Sequence, residues 1–148
     1  MATNSMAVSQ GVEVRGVPKG AVVLAGRFFF ALIFLLSAAG HFSPQEIGYA
    51  ASQGVPMASL LVPASGVLAM IGGLSVVLGY RVKIGAWLLI LFLVPVTFTM
   101  HKFWAISDPV TAQTQMAQFV KNISMIGGAL LLTQFGAGPL SLDSRQGR

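Results

Sequence analysis

The sequence predicts an all-α fold: an integral membrane four-helix bundle with its N and C termini in the cytoplasm. The 148-residue chain is 55% hydrophobic and only 9% charged, whereas soluble domains average about 25% charged residues. Its mean hydropathy is +0.78. Four apolar stretches each approach the roughly 20 helical residues that cross a hydrocarbon core of about 30 Å. Lipid, rather than water, is therefore expected to surround most of the chain.

Charge and cysteine content exclude several function classes. The formal net charge is +5, but the basic residues are scattered and form no basic stripe, so no nucleic-acid partner is expected. The chain contains no cysteine, which excludes disulfides, thiolate nucleophiles and iron–sulfur ligation. Any redox role would require a bound cofactor.

The N-terminal part of the chain predicts a tail followed by the first span. Residues 1–20 are polar and lack an apolar period, which indicates a flexible cytoplasmic tail. Residues 21–40 are apolar apart from Arg27 and Ser37 and form the first predicted span. A secretory signal peptide is the alternative for this segment, but its apolar run exceeds the about 7–15 residues of such peptides.

The remaining spans follow from hydropathy and turn signals. A short amphipathic segment, residues 45–53, is expected to lie in the membrane interface. In the second span, Ser65, Ala69 and Gly73 recur every four residues and predict a face for close helix packing. Only residues 80–83 separate the second and third spans, which predicts a tight antiparallel hairpin. The predicted four-transmembrane-helix domain covers residues 21–136, with spans at about 21–40, 60–79, 84–101 and 113–135, and residues 137–148 form a second cytoplasmic tail.

The distribution of lysine and arginine predicts the orientation, because cytoplasmic loops carry an excess of these residues. The side with both termini has seven of them: Arg15, Lys19, Arg27, Arg81, Lys83, Arg145 and Arg148. The other side has only Lys102 and Lys121. We therefore expect a multi-pass protein of the cell inner (cytoplasmic) membrane, in contact with membrane lipid, whose two longer loops face away from the cytoplasm.

Two ionisable residues fall within the predicted spans, where a charge costs roughly 2.5–3.5 kcal/mol on insertion scales. Arg27 lies about 9 Å into the first span. Its side chain either extends back to the interface or binds backbone carbonyls or an anionic headgroup inside the bundle. Lys121 lies in the fourth span.

Polar residues in the outer halves of the spans predict a pocket. Gln115, Gln118 and Asn122 share one helix face, with Lys121 beside them. If this face meets the ends of the first and third spans, an anionic or quinone-like ligand would fit there. Alternatively, the polar groups bond one another between helices and Trp104 anchors at the interface. The ligand-binding candidates are His41, His101, Gln118, Lys121 and Asn122, with Trp104 and Phe103 at the rim, and Arg27 at the opposite end.

No catalytic set follows from the sequence. Two histidines on separate spans suggest the hypothesis that they ligate a metal ion or haem. No HxxxH pair, thiolate or carboxylate cluster supports this hypothesis, so no metal site is predicted. The glycines do not form a phosphate-binding loop. No catalytic residue is therefore assigned.

Short motifs follow one another in a fixed order along the chain. They are Gly26-Arg27, Ser37-Ala38-Ala39-Gly40, Gln53-Gly54-Val55-Pro56, Gly72-Gly73-Leu74, Gly79 and Arg81, His101-Lys102-Phe103-Trp104, Gln118 to Asn122, Gly127-Gly128, and Gly136 to Asp143. In this order, over residues 24–143, the chain resembles the DoxX family of small four-helix membrane proteins. It departs from many relatives at His41, where they carry lysine, so this position keeps a hydrogen-bond donor without a fixed positive charge.

The resemblance implies an accessory or scaffold subunit of a larger, redox-linked membrane complex, with protein partners in that complex and no catalysis by this chain alone. The alternative is a quinone-handling subunit of an enzyme similar to thiosulfate:quinone oxidoreductase, a quinone-linked oxidoreductase in which quinone would be the cofactor. A small-solute carrier is a weaker alternative, because four spans form a path only by oligomerising or opening substantially.

Overall fold

The computed structural model describes residues 19–147, and within them it confirms the all-α class. The predicted N-terminal tail, residues 1–20, lies outside the described residues except for its last two, which begin the first helix. The helices are α1 (Lys19–Ala38), α2 (Pro44–Ser52), α3 (Ala58–Leu78), α4 (Val82–Met100), α5 (Pro109–Phe135) and α6 (Leu142–Arg145), with 3-10 turns at Ala39–Phe42 and Phe103–Ala105.

Four of these helices, α1, α3, α4 and α5, are long and apolar enough to cross a membrane. Large hydrophobic side chains such as Phe29, Leu36 and Leu131 are exposed on them. Because exposed apolar side chains of this number suit lipid contact, the chain is a multi-pass membrane protein. We name the end of the bundle with His41 and His101 the outer end, and the end with the α3–α4 turn the inner end.

The predicted span boundaries lie within two residues of the observed helix ends, except at the start of α5, which differs by four. Helix α1 ends at Ala38, not residue 40, because the chain tightens into a 3-10 turn. Helix α5 begins at Pro109, not residue 113. The Asp108 carboxylate caps α5 by accepting hydrogen bonds from the Thr111 hydroxyl and backbone N–H, the latter at 2.8 Å, and these two bonds lower the pKa of Asp108. The Asp-Pro pair was the sequence signal for this start.

The bundle packs through small residues. Helix α1 packs on α3, α3 on α4, and α4 on α5. Ala69 and Gly73 are buried, which confirms part of the predicted packing face of α3. A Cβ atom built on Gly72 would lie 3.0 Å from the carbonyl oxygen of Gly85, so the backbones of α3 and α4 approach closely here. The larger core side chains, including Phe34, Leu89, Phe92 and Leu93, fill the space beyond this contact.

The predicted hairpin at residues 80–83 is confirmed, and residues 138–144 pack against it. We name these residues the C-terminal clasp. The Asp143 carboxylate accepts hydrogen bonds from the backbone N–H groups of Arg81, at 2.7 Å, and Val82, at 3.1 Å, at the start of α4. The Asp143 backbone N–H donates to the carbonyl of Gly79 at 2.8 Å. The clasp therefore caps α4 and closes the turn that joins it to α3.

Candidate functional site

A cavity of about 790 Å³ lies in the outer half of the bundle. Helices α1, α3, α4 and α5 contribute to its wall, and α2 contributes Glu46, Tyr49 and Ala50. A volume of this size is typical of small-molecule sites. The polar side chains of the lining are Ser37, His41, Glu46, Tyr49, Ser65, Thr99, His101, Gln115, Gln118, Lys121 and Asn122.

Helices α1 and α5 both line the cavity, but they are not packed on each other as the neighbouring helix pairs are. One contact between them is at Gly128, where a Cβ atom would lie 2.9 Å from the ring of Phe30. Val23 likewise lies against Gly138 in the clasp. Towards the outer end the same two helices line the cavity instead, α1 with residues such as Ser37 and α5 with residues such as Gln118.

One part of the cavity wall is apolar. Phe34 on α1 and Phe92 and Leu93 on α4 are buried and line it, and Met125 on α5 adds a flexible thioether side chain. The rings of Phe34 and Phe92 pack edge to face with centroids 6.2 Å apart. The polar residues and this apolar wall together make the cavity amphipathic.

Both predicted histidines line the cavity, and each is oriented through Nδ1. His41 Nδ1 lies 3.0 Å from the carbonyl oxygen of Ser37. Because a carbonyl only accepts, His41 Nδ1 carries the proton and Nε2 is left as the acceptor of the neutral ring. His101 Nδ1 lies 2.7 Å from Oε1 of Gln115 on α5. Because this amide oxygen also only accepts, Nε2 of His101 is likewise the acceptor of the neutral ring.

The polar face of α5 supplies the other predicted lining residues. Lys121 Nζ donates to Gln118 Oε1, so the amide N–H groups of Gln118 stay free to donate elsewhere. Asn122 is only 5% exposed, and its side chain has no hydrogen-bond partner among residues 19–147. Its amide atoms are not among the fully buried side-chain atoms without a partner, so the amide is open to the cavity and available to a ligand.

Arg27 is not part of the cavity with the other candidates. It is 2% exposed near the inner end, and its Nη2 donates to the carbonyl of Leu140 in the clasp at 2.7 Å. Its side chain is therefore held inside the bundle by a backbone carbonyl, one of the two expected alternatives. Its Nε and Nη1 atoms have no partner among the described residues.

Trp104 and Phe103 were expected at the rim, but neither lines the cavity. Trp104 is 57% exposed and packs against Phe103 and Phe119, with ring centroids 5.1 and 5.8 Å away. The 3-10 turn at Phe103–Ala105 forms this aromatic cluster beside the start of α5.

Sequence reasoning missed the lining residues on α2 and α3. Glu46 and Tyr49 line the cavity because α2 packs on α3, and Ser65 lines it from α3 itself. Lys102 Nζ donates to the carbonyl of Gln53 at 3.1 Å and ties the α4–α5 loop to the end of α2. The amphipathic pattern of α2 marked an interfacial helix, but no sequence signal assigned it to a cavity. No group of three potential metal ligands occurs within residues 19–147.

Comparison with known proteins gives the family. The model of the SURF4 family matches residues 10–148. The chain belongs to the SURF4 family. Among curated SURF4-like relatives, the inner membrane protein YphA of Escherichia coli K12 is 29% identical over 136 residues, covering 88% of this chain and 94% of YphA.

A second relative matches a smaller share of both chains. The ER-derived vesicles protein ERV29 of Saccharomyces cerevisiae is 34% identical over 80 residues, which cover 54% of this chain and 26% of the yeast protein. This SURF4-family chain therefore matches only about a quarter of ERV29. No solved structure matches the chain significantly.

The SURF4 assignment overturns the resemblance to the DoxX family. The two functions inferred from the DoxX resemblance are therefore also wrong: the accessory or scaffold subunit of a redox-linked complex, and the quinone-handling subunit. The small-solute carrier is likewise withdrawn. The motifs misled because most of them are glycine-rich or small-residue segments, and close helix packing requires such residues in unrelated membrane bundles.

Proposed function

We propose that this SURF4-family chain is a membrane-embedded binding protein whose outer cavity holds one amphipathic molecule with an anionic head. The Asn122 amide carries the proposal. The residue is 5% exposed, and its amide lines the cavity without a partner among the described residues. A ligand that hydrogen-bonds this amide gains a bond that the described residues do not make.

The donors on α5 favour an acceptor-rich head such as a carboxylate or phosphate. Lys121, Asn122 and the amide nitrogen of Gln118 all present N–H groups on one face of the helix, and charge-assisted bonds to an anion are the strongest that such donors form. The Nε2 atoms of His41 and His101 are acceptors in the neutral rings, so they suit a hydroxyl or amide of the ligand beside its anionic group.

The depth of Lys121 suits the head of a membrane-dissolved molecule. Helix α5 has 27 residues, more than the roughly 20 that a hydrocarbon core requires. If the core begins at Phe135, Lys121 lies about 9 Å below its outer boundary. A ligand tail then packs along Phe34, Phe92 and Met125. The proposed entry is lateral, between α1 and α5, because both helices line the cavity and they are not packed on each other as the neighbouring pairs are.

Binding of a fluorescent fatty acid tests this function. We expect purified protein in detergent to bind one cis-parinaric acid per chain, and to bind its methyl ester much more weakly because the ester lacks the charge. Lys121→Gln and Asn122→Leu should each weaken binding of the acid about tenfold, by loss of one hydrogen bond to a charged head. Fluorescence titration measures both affinities.

Matched variants control for surface charge and for loss of an amide. Lys102→Gln removes the other lysine of the outer end, and Gln134→Leu removes an amide near the inner end of α5. Both lie outside the cavity and should leave the affinity within twofold. Thermal unfolding of each variant without ligand checks the fold. Equal affinity for acid and ester, or unchanged affinity in both cavity variants, would contradict the proposed function.

For localisation, we propose the cytoplasmic membrane, with both termini on the cytoplasmic side. YphA is an inner membrane protein, although the yeast relative is named for vesicles derived from the endoplasmic reticulum. The basic residues at the inner end, including Arg81, Lys83 and Arg145, support the orientation.

Cysteine labelling tests the orientation, because the natural chain has no cysteine. We expect Ser107→Cys, in the exposed α4–α5 loop, to react with a membrane-impermeant maleimide in intact bacterial spheroplasts. Gln146→Cys, exposed after α6, should react only after permeabilisation. The reverse pattern would contradict the orientation, and the unsubstituted chain gives the background.

A further inference from the structure

We propose that the inner end carries a second, separate site, which binds the phosphate of an anionic phospholipid. A pocket of about 680 Å³ lies where the end of α5, the start of α4 and the C-terminal clasp meet. It is independent of the outer cavity and shares no lining residue with it. Its charge, its hydroxyls and its apolar edge together define the ligand.

Two cations line the inner pocket. Neither Arg81 nor Lys83 forms an ion pair with an acidic side chain among residues 19–147. Arg81 only approaches the ring of Tyr80, at 5.8 Å from the centroid. Basic pockets between membrane helices at the cytoplasmic interface are suited to phospholipid headgroups. Both side chains are exposed and free to reach an anion.

The acidic group of the pocket is already engaged. Both oxygens of the Asp143 carboxylate accept hydrogen bonds from the first backbone N–H groups of α4, where the helix dipole stabilises its negative charge. The buried guanidinium of Arg27 adds positive charge close by, since Arg27 and Ser141 both lie against Gly79. The pocket therefore favours an anion in spite of Asp143.

The apolar edge distinguishes a lipid from a free anion. Ile84 on α4 and Phe135 at the end of α5 line the pocket, and Phe135 is 81% exposed. The aliphatic part of Lys83 lies over Gly136, since a Cβ atom built there would be in ordinary van der Waals contact with Cε of Lys83, at 3.7 Å. Acyl chains pack against Ile84 and Phe135, while the phosphate contacts the cations and Ser144.

Lipid titration tests the inner site. Native mass spectrometry of the detergent-solubilised protein, titrated with phosphatidylglycerol or phosphatidylcholine, counts bound lipids and gives their affinities. We expect one phosphatidylglycerol bound in preference to phosphatidylcholine. The double variant Arg81→Gln/Lys83→Gln should bind phosphatidylglycerol about thirtyfold more weakly, since two cations near an anionic lipid are removed. Each single variant should lose about fivefold, which keeps the test valid if the double variant fails to fold.

The matched control removes two cations from the same end but outside the pocket. Lys19→Gln/Arg145→Gln should keep the affinity within twofold, because neither residue lines the pocket. Unchanged affinity in the pocket variants, or an equal loss in the control, would overturn the proposal. Inorganic phosphate at millimolar concentration is the second probe. If it displaces phosphatidylglycerol, the site recognises a free anion and the lipid assignment fails.

Discussion

Gly79→Ala is expected to destabilise the protein by about 3 kcal/mol, the sum of backbone strain and steric overlap. Gly79 ends α3 with φ +67°, a left-handed conformation that costs an alanine roughly 1–2 kcal/mol. Its new Cβ atom would also collide with Nη1 of Arg27 and with the Cβ atom of Ser141. Neither neighbour can move freely, since Arg27 is buried and Ser141 belongs to the clasp. Thermal unfolding in detergent measures the loss.

Gly26→Ala and Gly127→Ala are the controls for this experiment. Both glycines lie inside helices, and a Cβ atom at either would meet no heavy atom within 4 Å. Alanine is the better helix former by roughly 0.5–1 kcal/mol, so these variants should be as stable as the natural chain or slightly more so. If Gly79→Ala unfolds at the same temperature as the controls, the close approach of Arg27 to the turn is wrong.

Asp143→Ala is expected to cost about 2 kcal/mol, because it removes two charge-assisted hydrogen bonds from the start of α4. Arg81 and Val82 would lose the carboxylate that accepts from their backbone N–H groups. Arg27 would lose the nearby acidic group whose charge acts on it. Asp143→Asn should be intermediate, since its amide oxygen still accepts one bond. Chemical or thermal unfolding in a mild detergent gives the comparison.

The matched control for Asp143 is Asp108→Ala. Asp108 also caps a spanning helix, but it is exposed, and both of its side-chain bonds go to the adjacent Thr111. Its removal should cost at most about 1 kcal/mol. A loss at Asp143 no greater than that at Asp108 would show that the clasp does not stabilise the bundle.

The family could not be identified from the motifs. Gly72-Gly73 and Gly127-Gly128 suggested one family, whereas the family model that matches residues 10–148 assigns another. At Gly72 and Gly128 the structure gives the physical reason, since these glycines lie against Leu89 and Phe30 in the packed bundle. A residue chosen for packing distinguishes poorly between families, because every tight helix pair needs one.

Part of the candidate site could be predicted from the sequence. The three- and four-residue spacing of Gln115, Gln118 and Asn122 predicted a common face of α5, and these residues line one cavity with both histidines. Helical periodicity is local, so it could be read directly. Glu46 and Tyr49 were missed because they reach the cavity only through the packing of α2 on α3.

The sequence by itself determined the four spanning helices, the α3–α4 hairpin and the polar face of α5. These follow from composition, loop length and helical period, which act over a few neighbouring residues. Only the tertiary structure decided that Trp104 lies outside the cavity and that Arg27 bonds the C-terminal clasp. Arg27 and Leu140 are 113 residues apart, and no local pattern encodes such a contact, because it depends on how all four helices pack.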